Sequence, residues 1–358
     1  MDLQIETSQL LKELIKTQSF SKEEGPTADL ISAFLTKQGV QWHRSGHNVW
    51  ARNKHFNASK PTLLLNSHHD TVRPNPNYTL DPFEPIEKDG KLYGLGSNDA
   101  GGCLVSLIGA FVHYYKAENL NFNLVLAATA EEEISGKNGL EALLPELGHL
   151  DCAIVGEPTE MQAAIAEKGL MVIDAEVMGE SGHAARDTGT NAIYLALEDI
   201  HKIRNYQFEK VSEWLGPVKM TVTLINAGSQ HNVIPGKCTY VIDVRTNDAY
   251  GNEEVFEILQ KELKANLKAR SFRMRPSFID PEHPLVKACV DFGANPFGSP
   301  TSSDQTLLSV PSVKIGPGKS ERSHSPNEFI YLEELKAGLK GYIEILERLR
   351  NNFPKPIG

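Results

Sequence analysis

His68 and Asp70 lie two residues apart, directly behind the apolar run Leu63-Leu64-Leu65. Glu131-Glu132-Glu133 closely follows Leu124-Val125-Leu126-Ala127-Ala128, and Glu157 closely follows Ala153-Ile154-Val155. Imidazole and carboxylate are the donors of hydrolytic metal centres. Apolar runs of this length, bounded by turn signals, read as strands covered on both faces. Open α/β sheets bind ligands at the carboxyl ends of such strands. Three strand ends with the same chemistry therefore point to a built site. Residues i and i+2 of an extended segment share a side. Asp70 is thus placed to support His68 by accepting its other N–H. His69 points the other way and reads as structural.

A two-metal site needs about four protein ligands and a shared carboxylate, with the ions roughly 3.5 Å apart. Asp99 follows Gly94-Leu95-Gly96-Ser97-Asn98. That run approaches the dinucleotide fingerprint, but Asp99 stands at its third glycine position, where a carboxylate would repel a pyrophosphate. Two readings of Asp99 stand at this point: a helix N-cap or a bridging ligand. The three glutamates read as an acidic helix start, favoured by the macrodipole, or as one ligand beside one general base. A last ligand must come from farther along the chain. His324 lies beyond the strand-like Val313-Lys314-Ile315 and the turn Gly316-Pro317-Gly318.

The elements that position these groups follow from periodicity. Leu3, Leu10, Leu11, Leu14 and Ile15 share one helix face, and a second helix is expected from Pro26 to about Gln38. A third runs from about Ala100 to Tyr115, and a C-terminal one carries Leu332, Leu335, Leu339, Tyr342, Ile343, Leu346 and Leu349. Helices alternating with buried strands imply a largely parallel sheet. After Gly169 the texture changes. Ile173, Ala175 and Val177 alternate with polar residues. A helix follows at Asn191 to Ile203, then strands at Lys219 to Ile225 and Thr239 to Val244. A helix carrying Val255, Ile258, Leu259, Leu263 and Leu267 precedes a last strand, Ser271 to Ile279. That order is β-α-β-β-α-β, the ferredoxin-like unit. The expected organisation is an α/β catalytic domain formed by residues 1–168 and 280–358, with a smaller domain, 169–279, inserted into it.

Composition excludes several classes. A formal net charge of −10 and a pI near 5.7 argue against nucleic-acid or anionic-membrane partners. Cys103, Cys152, Cys238 and Cys289 form no C-x-x-C, so no disulfide framework or zinc knuckle is expected. No secretory signal and no membrane-length apolar run is visible, which gives a cytoplasmic expectation.

The chain resembles the M20 family of dinuclear zinc amidohydrolases and peptidases, which includes acetylornithine deacetylase, succinyl-diaminopimelate desuccinylase and carboxypeptidases. The resemblance covers essentially the whole chain. It rests on His68-His69-Asp70-Thr71-Val72, on Asp81-Pro82-Phe83 followed by Asp89-Gly90-Lys91-Leu92-Tyr93-Gly94, and on Asp99, Glu132-Glu133, Gly156-Glu157-Pro158-Thr159 and His324. It implies a zinc-peptidase-like fold with a mixed, largely parallel sheet and an inserted lid that often dimerises. It implies that Asp99 bridges two Zn²⁺, that His68 and Glu157 complete one, and that Glu133 and His324 complete the other. Co²⁺ or Mn²⁺ would suit the same donors. Glu132 would be the general base, with Asp70 behind His68. His183 would reach the substrate carbonyl oxygen, from the partner subunit in a dimer, and Asn232 and Arg245 would contact substrate. Three carboxylate ligands against two divalent ions leave residual positive charge, which lowers the pKa of a water towards ~7.

This sequence departs from the family pattern in two places. Ala100-Gly101 stand where the family has Met-Lys, and a proline usual near Asp187 is missing. The expected substrate is a small N-acylated amino acid: N-acetyl-L-ornithine, or succinylornithine or acetylcitrulline. The run Thr301-Ser302-Ser303-Asp304-Gln305 and the turn Gly316-Pro317-Gly318 carry the look of the acetylornithine branch. The rivals are a succinyl-diaminopimelate desuccinylase, a di- or tripeptidase, and a non-catalytic amino-acid-binding protein on the same fold.

Overall fold

Three strands of the computed structural model are buried along their whole length: Thr62–His68, Asn123–Thr129 and Cys152–Val155. The structure describes residues 3–186 and 188–352. Asp187, near which the missing proline was noted, lies outside them. With Ser312–Lys314 the three strands form the parallel centre of a mixed sheet. Its order is His43–Ser45, Asn48–Arg52, Asn123–Thr129, Thr62–His68, Cys152–Val155, Ser312–Lys314, Ala163–Glu167. The flanking pairs are antiparallel. The register sets His68 opposite Thr129 and Asn66 opposite Val155. The three strand-end motifs therefore leave one edge of the sheet side by side.

The chain divides into two units. One takes the chain up to Ile165, Ile279–Phe297 and the chain from Ser303 onward. The other takes Ala166–Phe278 with Gly298–Ser302. The expected joints were at residues 168 and 280. The short piece Gly298–Ser302 was not anticipated in the second unit.

In the first unit Leu3–Lys16 and Gly25–Lys37 are helical, as their apolar spacing requires. Gly102–Tyr114 is a helix buried on nearly every side, as its apolar sequence demands. It starts later than expected because Ser97–Gly101 forms a single wide turn. Gly101 is fixed by space. A Cβ there would lie 2.4 Å from the Gly96 carbonyl oxygen and 2.7 Å from Leu11 Cδ1. Its own N–H donates to that carbonyl at 2.9 Å. A long side chain at this position has no room, which gives a physical reason for the departure from Met-Lys.

The second unit has a four-stranded antiparallel sheet, in the order Lys219–Ala227, Lys237–Thr246, Gly169–Met178, Asn266–Ala269. Helices Ala192–Asn205 and Asn252–Glu262 complete the expected β-α-β-β-α-β order. Asn191 caps the first by accepting the Ile193 N–H at 2.9 Å. Met171, Ile173, Ala175 and Val177 point into this unit's core, as alternation predicts.

One expectation fails here. Leu267 is not helical but lies in the strand Asn266–Ala269, and Ser271 to Ile279 is not one strand, since it pairs only at an isolated bridge of Met274 to Leu170 and at Ser277–Phe278. The cause is Asp199. Its buried carboxylate accepts the N–H groups of Lys264 (2.9 Å) and Ala265 (2.9 Å) and the Tyr240 hydroxyl (3.1 Å). Those two N–H groups are thereby diverted from a helix, and the chain turns into the sheet. No helix among the described residues is long and apolar enough to cross a membrane. All four cysteines are free and buried.

Asp199→Asn turns an amide donor onto one of these N–H groups. The expected loss is about 2 kcal/mol, read by urea unfolding of the whole protein. A change below about 0.5 kcal/mol would show that the Asp199 contacts do not hold this turn.

Candidate metal centre

His68 ends its strand 1% exposed. Its Nδ1 lies 3.0 Å from the Asp70 carbonyl oxygen. A carbonyl only accepts, so Nδ1 carries the hydrogen, and Nε2 of the neutral ring is a lone pair. Asp70 does stand behind His68, but it takes the hydrogen bond through its main chain, with carboxylate Oδ1 at 3.4 Å. The carboxylate serves the neighbouring strand end instead. Its oxygens accept Glu132 N–H (3.1 Å), Glu133 N–H (3.2 Å) and the Ser21 hydroxyl (2.7 Å).

His68 Nε2 is buried with no hydrogen-bond partner. It faces Asp99 Oδ1 at 3.4 Å, Glu157 Oε1 at 3.7 Å and Glu132 Oε2 at 3.9 Å. The other oxygen of Asp99, Oδ2, lies 3.6 Å from His324 Nε2, which in turn lies 2.9 Å from Glu133 Oε2. One carboxylate thus presents one oxygen to each of two imidazoles. Two groups of candidate donors are close enough to hold an ion, His68 with Asp99 and Glu133, and His68 with Glu132 and Glu157.

The electrostatics say what is missing. Burial pushes the Glu132 carboxyl well up, reinforced by Glu157, Asp304 and Glu133. Burial with nearby Asp99 pushes Glu157 up to about 8, and burial raises Glu133 against its bond to His324. For His68, burial alone would favour the neutral ring. Asp70, Asp99, Glu132 and Glu157 together outweigh it and raise its pKa well above the usual range. The hydrogen bond to Glu133 lifts His324 to about 9. Carboxyl groups and imidazoles that hold their protons this firmly crowd one small space. An orphaned buried nitrogen facing surplus carboxylate oxygens fits divalent metal ions.

The remaining members of the acidic run separate cleanly. Glu131 has a left-handed backbone (φ 55°) and turns away to accept from Asn138, Nδ2 at 2.8 Å and N–H at 3.3 Å. Its own N–H is held by buried Glu24 at 3.1 Å. His69 is structural as expected. Its Nε2 donates to the His47 carbonyl (3.1 Å) and its Nδ1 accepts from Thr27 (2.9 Å), while burial lowers its pKa to about 4.

Besides Glu24, two further buried carboxylates were not found by sequence reasoning. Asp304 accepts from Thr129 Oγ1 at 2.7 Å and the Asn66 amide at 3.2 Å, joining two strand ends. Burial raises it to about 6. Glu328 accepts main-chain N–H groups around Asp99. Their partners lie far away in sequence, so their immediate neighbours carried no signal for either.

His183, Asn232 and Arg245 belong to the second unit. His183 pairs with Val233 in a two-stranded ribbon, and Ala184 N–H donates to the Asn232 carbonyl at 3.0 Å, so the two residues share one exposed feature. Arg245 is engaged within its own unit, by Asp243 (2.9 and 3.1 Å) and Ser302 (3.3 Å).

Residues 64–348 match Peptidase family M20/M25/M40. A succinyl-diaminopimelate desuccinylase 2 of Ruegeria sp. (strain TM1040) is 24% identical over 96% of this chain and 94% of its own. An acetylornithine deacetylase of Myxococcus xanthus is 29% identical over 78% and 77%. The crystal structure of an M20 family metallo-carboxypeptidase from Sulfolobus solfataricus superposes with a TM-score of 0.76 at 20% identity, covering 98% of this chain and all of that one.

With Glu157 at about 8, the metal-free protein holds a proton there at pH 7. Loading with divalent metal must displace it, so binding releases at least one proton and weakens as pH falls. Titration calorimetry in buffers of different ionisation enthalpy reads the count. A value of zero would show that the carboxylates are already ionised.

Proposed function

The chain belongs to peptidase family M20/M25/M40, and on that premise we propose that this metal-dependent amidohydrolase removes the acyl group of a small N-acylated amino acid, N-acetyl-L-ornithine foremost. The carrying observation is Asp99, with one oxygen toward His68 and the other toward His324. In this reading Asp99 would be shared by two zinc ions, His68 and Glu157 would help hold one, and Glu133 and His324 would help hold the other. Zinc bound there would supply Lewis acidity, activating a water and polarising the scissile carbonyl.

The protein groups then divide the remaining tasks. Asp70 fixes the tautomer of His68 through its carbonyl and holds the Glu132-Glu133 backbone through its carboxylate. Glu132 is the general base. It takes a proton from the attacking water at a carboxylate oxygen and passes it to the leaving amine. Burial has already made that carboxylate more basic. His183 donates to the oxygen that develops negative charge, a contribution of roughly 3–4 kcal/mol per donor. Asn232, beside it on the ribbon, contacts the substrate, and Arg245 does so through whatever part of its guanidinium Asp243 leaves open. The second unit also pairs two copies of the chain. Lys219–Ala227 is an edge strand, with Leu224 58% and Ile225 49% exposed, the kind of edge that pairs with another chain.

A second substrate reading is favoured by one observation. The desuccinylase relative aligns over more of the chain than the deacetylase relative does. Zinc-loaded protein assayed side by side on N-acetylornithine, N-succinylornithine, N-acetylcitrulline, succinyl-diaminopimelate and a dipeptide separates these. The expected result is highest kcat/KM on acetylornithine, and failure on all acylated amino acids with turnover of the peptide would reject the deacylase. Fewer than one metal per chain after reconstitution would favour the non-catalytic alternative. Glu132→Gln is expected to keep its metal and lose about 10²–10⁴-fold in kcat. Undiminished turnover would remove Glu132 from the mechanism.

A further inference from the structure

Glu328 is 1% exposed, and its carboxylate is occupied by main chain. Oε1 accepts the N–H groups of Asn98 (2.8 Å) and Asp99 (2.9 Å), and Oε2 accepts that of Gly96 (3.2 Å). The Glu328 carbonyl accepts the Gly94 N–H at 3.0 Å. Asn98 makes a second link, accepting the Lys319 N–H (2.9 Å) and donating to the Lys319 carbonyl (3.1 Å). Beyond Glu328, Phe329–Tyr331 pairs with Lys91–Tyr93, which anchors both partners. The segment that carries His324 is therefore bonded to the turn that carries Asp99 from both sides, by the Glu328 carboxylate and by the Asn98 amide.

A buried carboxylate is an expensive way to fill space. Its particular use is to offer two oxygens that only accept. The Gly96–Asp99 turn directs three N–H groups to one place, and an anion satisfies all of them. Asp99 also needs a defined orientation, because each of its oxygens faces a different imidazole. A turn free to rotate by a few tens of degrees would lose one of those contacts.

We infer that Glu328 is the positioning residue for Asp99, fixing the turn so that one carboxylate serves both metal ions, and that it thereby sets how tightly the pair is held. The inference rests on the reading of Asp99 as the shared ligand. Glu328→Gln keeps one acceptor oxygen but turns an NH₂ toward a main-chain N–H, and Glu328→Ala removes every acceptor. Partners that orient metal ligands commonly govern affinity by 10–100-fold. The expected losses are about tenfold for Gln and about 100-fold for Ala.

The experiment titrates zinc-loaded protein with a chelator and counts retained metal per chain by elemental analysis. The visible spectrum of the cobalt-loaded protein reports ligand geometry independently of activity. Asp199→Asn, buried in the other unit, is the control for general destabilisation. Wild-type and control protein should release metal at the same chelator concentration, the Gln variant at about a tenth of it, with an altered cobalt spectrum and KM within about twofold. Wild-type retention and spectrum in the Gln variant would overturn the inference, as would an equal loss in the Asp199→Asn control. If the Ala variant does not fold, the Gln variant decides alone. Wild-type protein that binds no metal is a separate outcome, and it would overturn the reading of the centre itself.

Discussion

The close approach of four carboxyl groups at the sheet edge is the constraint around which the first unit is organised. Asp99, Glu132, Glu133 and Glu157 converge on His68 and His324. Carboxylates held that close, and largely out of water, repel one another unless a cation joins them. The protein supplies rigidity. Asp70 grips the Glu132-Glu133 backbone, Glu24 grips Glu131, Asp304 joins Thr129 to Asn66, and Glu328 grips the Asp99 turn. These outer acceptors prevent the inner carboxylates from relaxing apart.

Much of the centre was legible because its inner groups lie where periodicity changes. His68, Glu132, Glu133 and Glu157 end or closely follow apolar runs that could only be buried strands, and the register brings those ends to one edge. His69 was separable from His68 because strand geometry sends neighbours to opposite sides. The outer acceptors were not legible, since Glu24, Asp304 and Glu328 act on main-chain or hydroxyl groups distant in sequence. Nothing in their immediate neighbours distinguishes such a residue from a solvated surface acid. Asp70 was half legible: its place behind His68 followed from spacing, but the division between its carbonyl and its carboxylate did not.

The same limit explains the error in the second unit. Leu259, Leu263 and Leu267 keep helical spacing, yet Leu267 is buried in a strand. Burial on either element demands an apolar residue there, so hydrophobicity alone does not discriminate. The decision was made by Asp199, whose oxygens capture two N–H groups from a segment more than sixty residues later. Buried acids that capture main-chain donors thus shape both units, one around a reaction centre and the other around a helix end.

The order of the ligands along the chain has a consequence for biosynthesis. Everything through Glu157 is made first, the whole second unit follows, and His324 and Glu328 come after it. A ribosome-bound chain carries an incomplete ligand set for as long as the second unit is being translated. On the proposed assignment the full donor set exists only once the returning segment has emerged and bonded to the Asp99 turn. A chain broken off within the second unit would lack both His324 and the Glu328 carboxylate that accepts the N–H groups of the Asp99 turn.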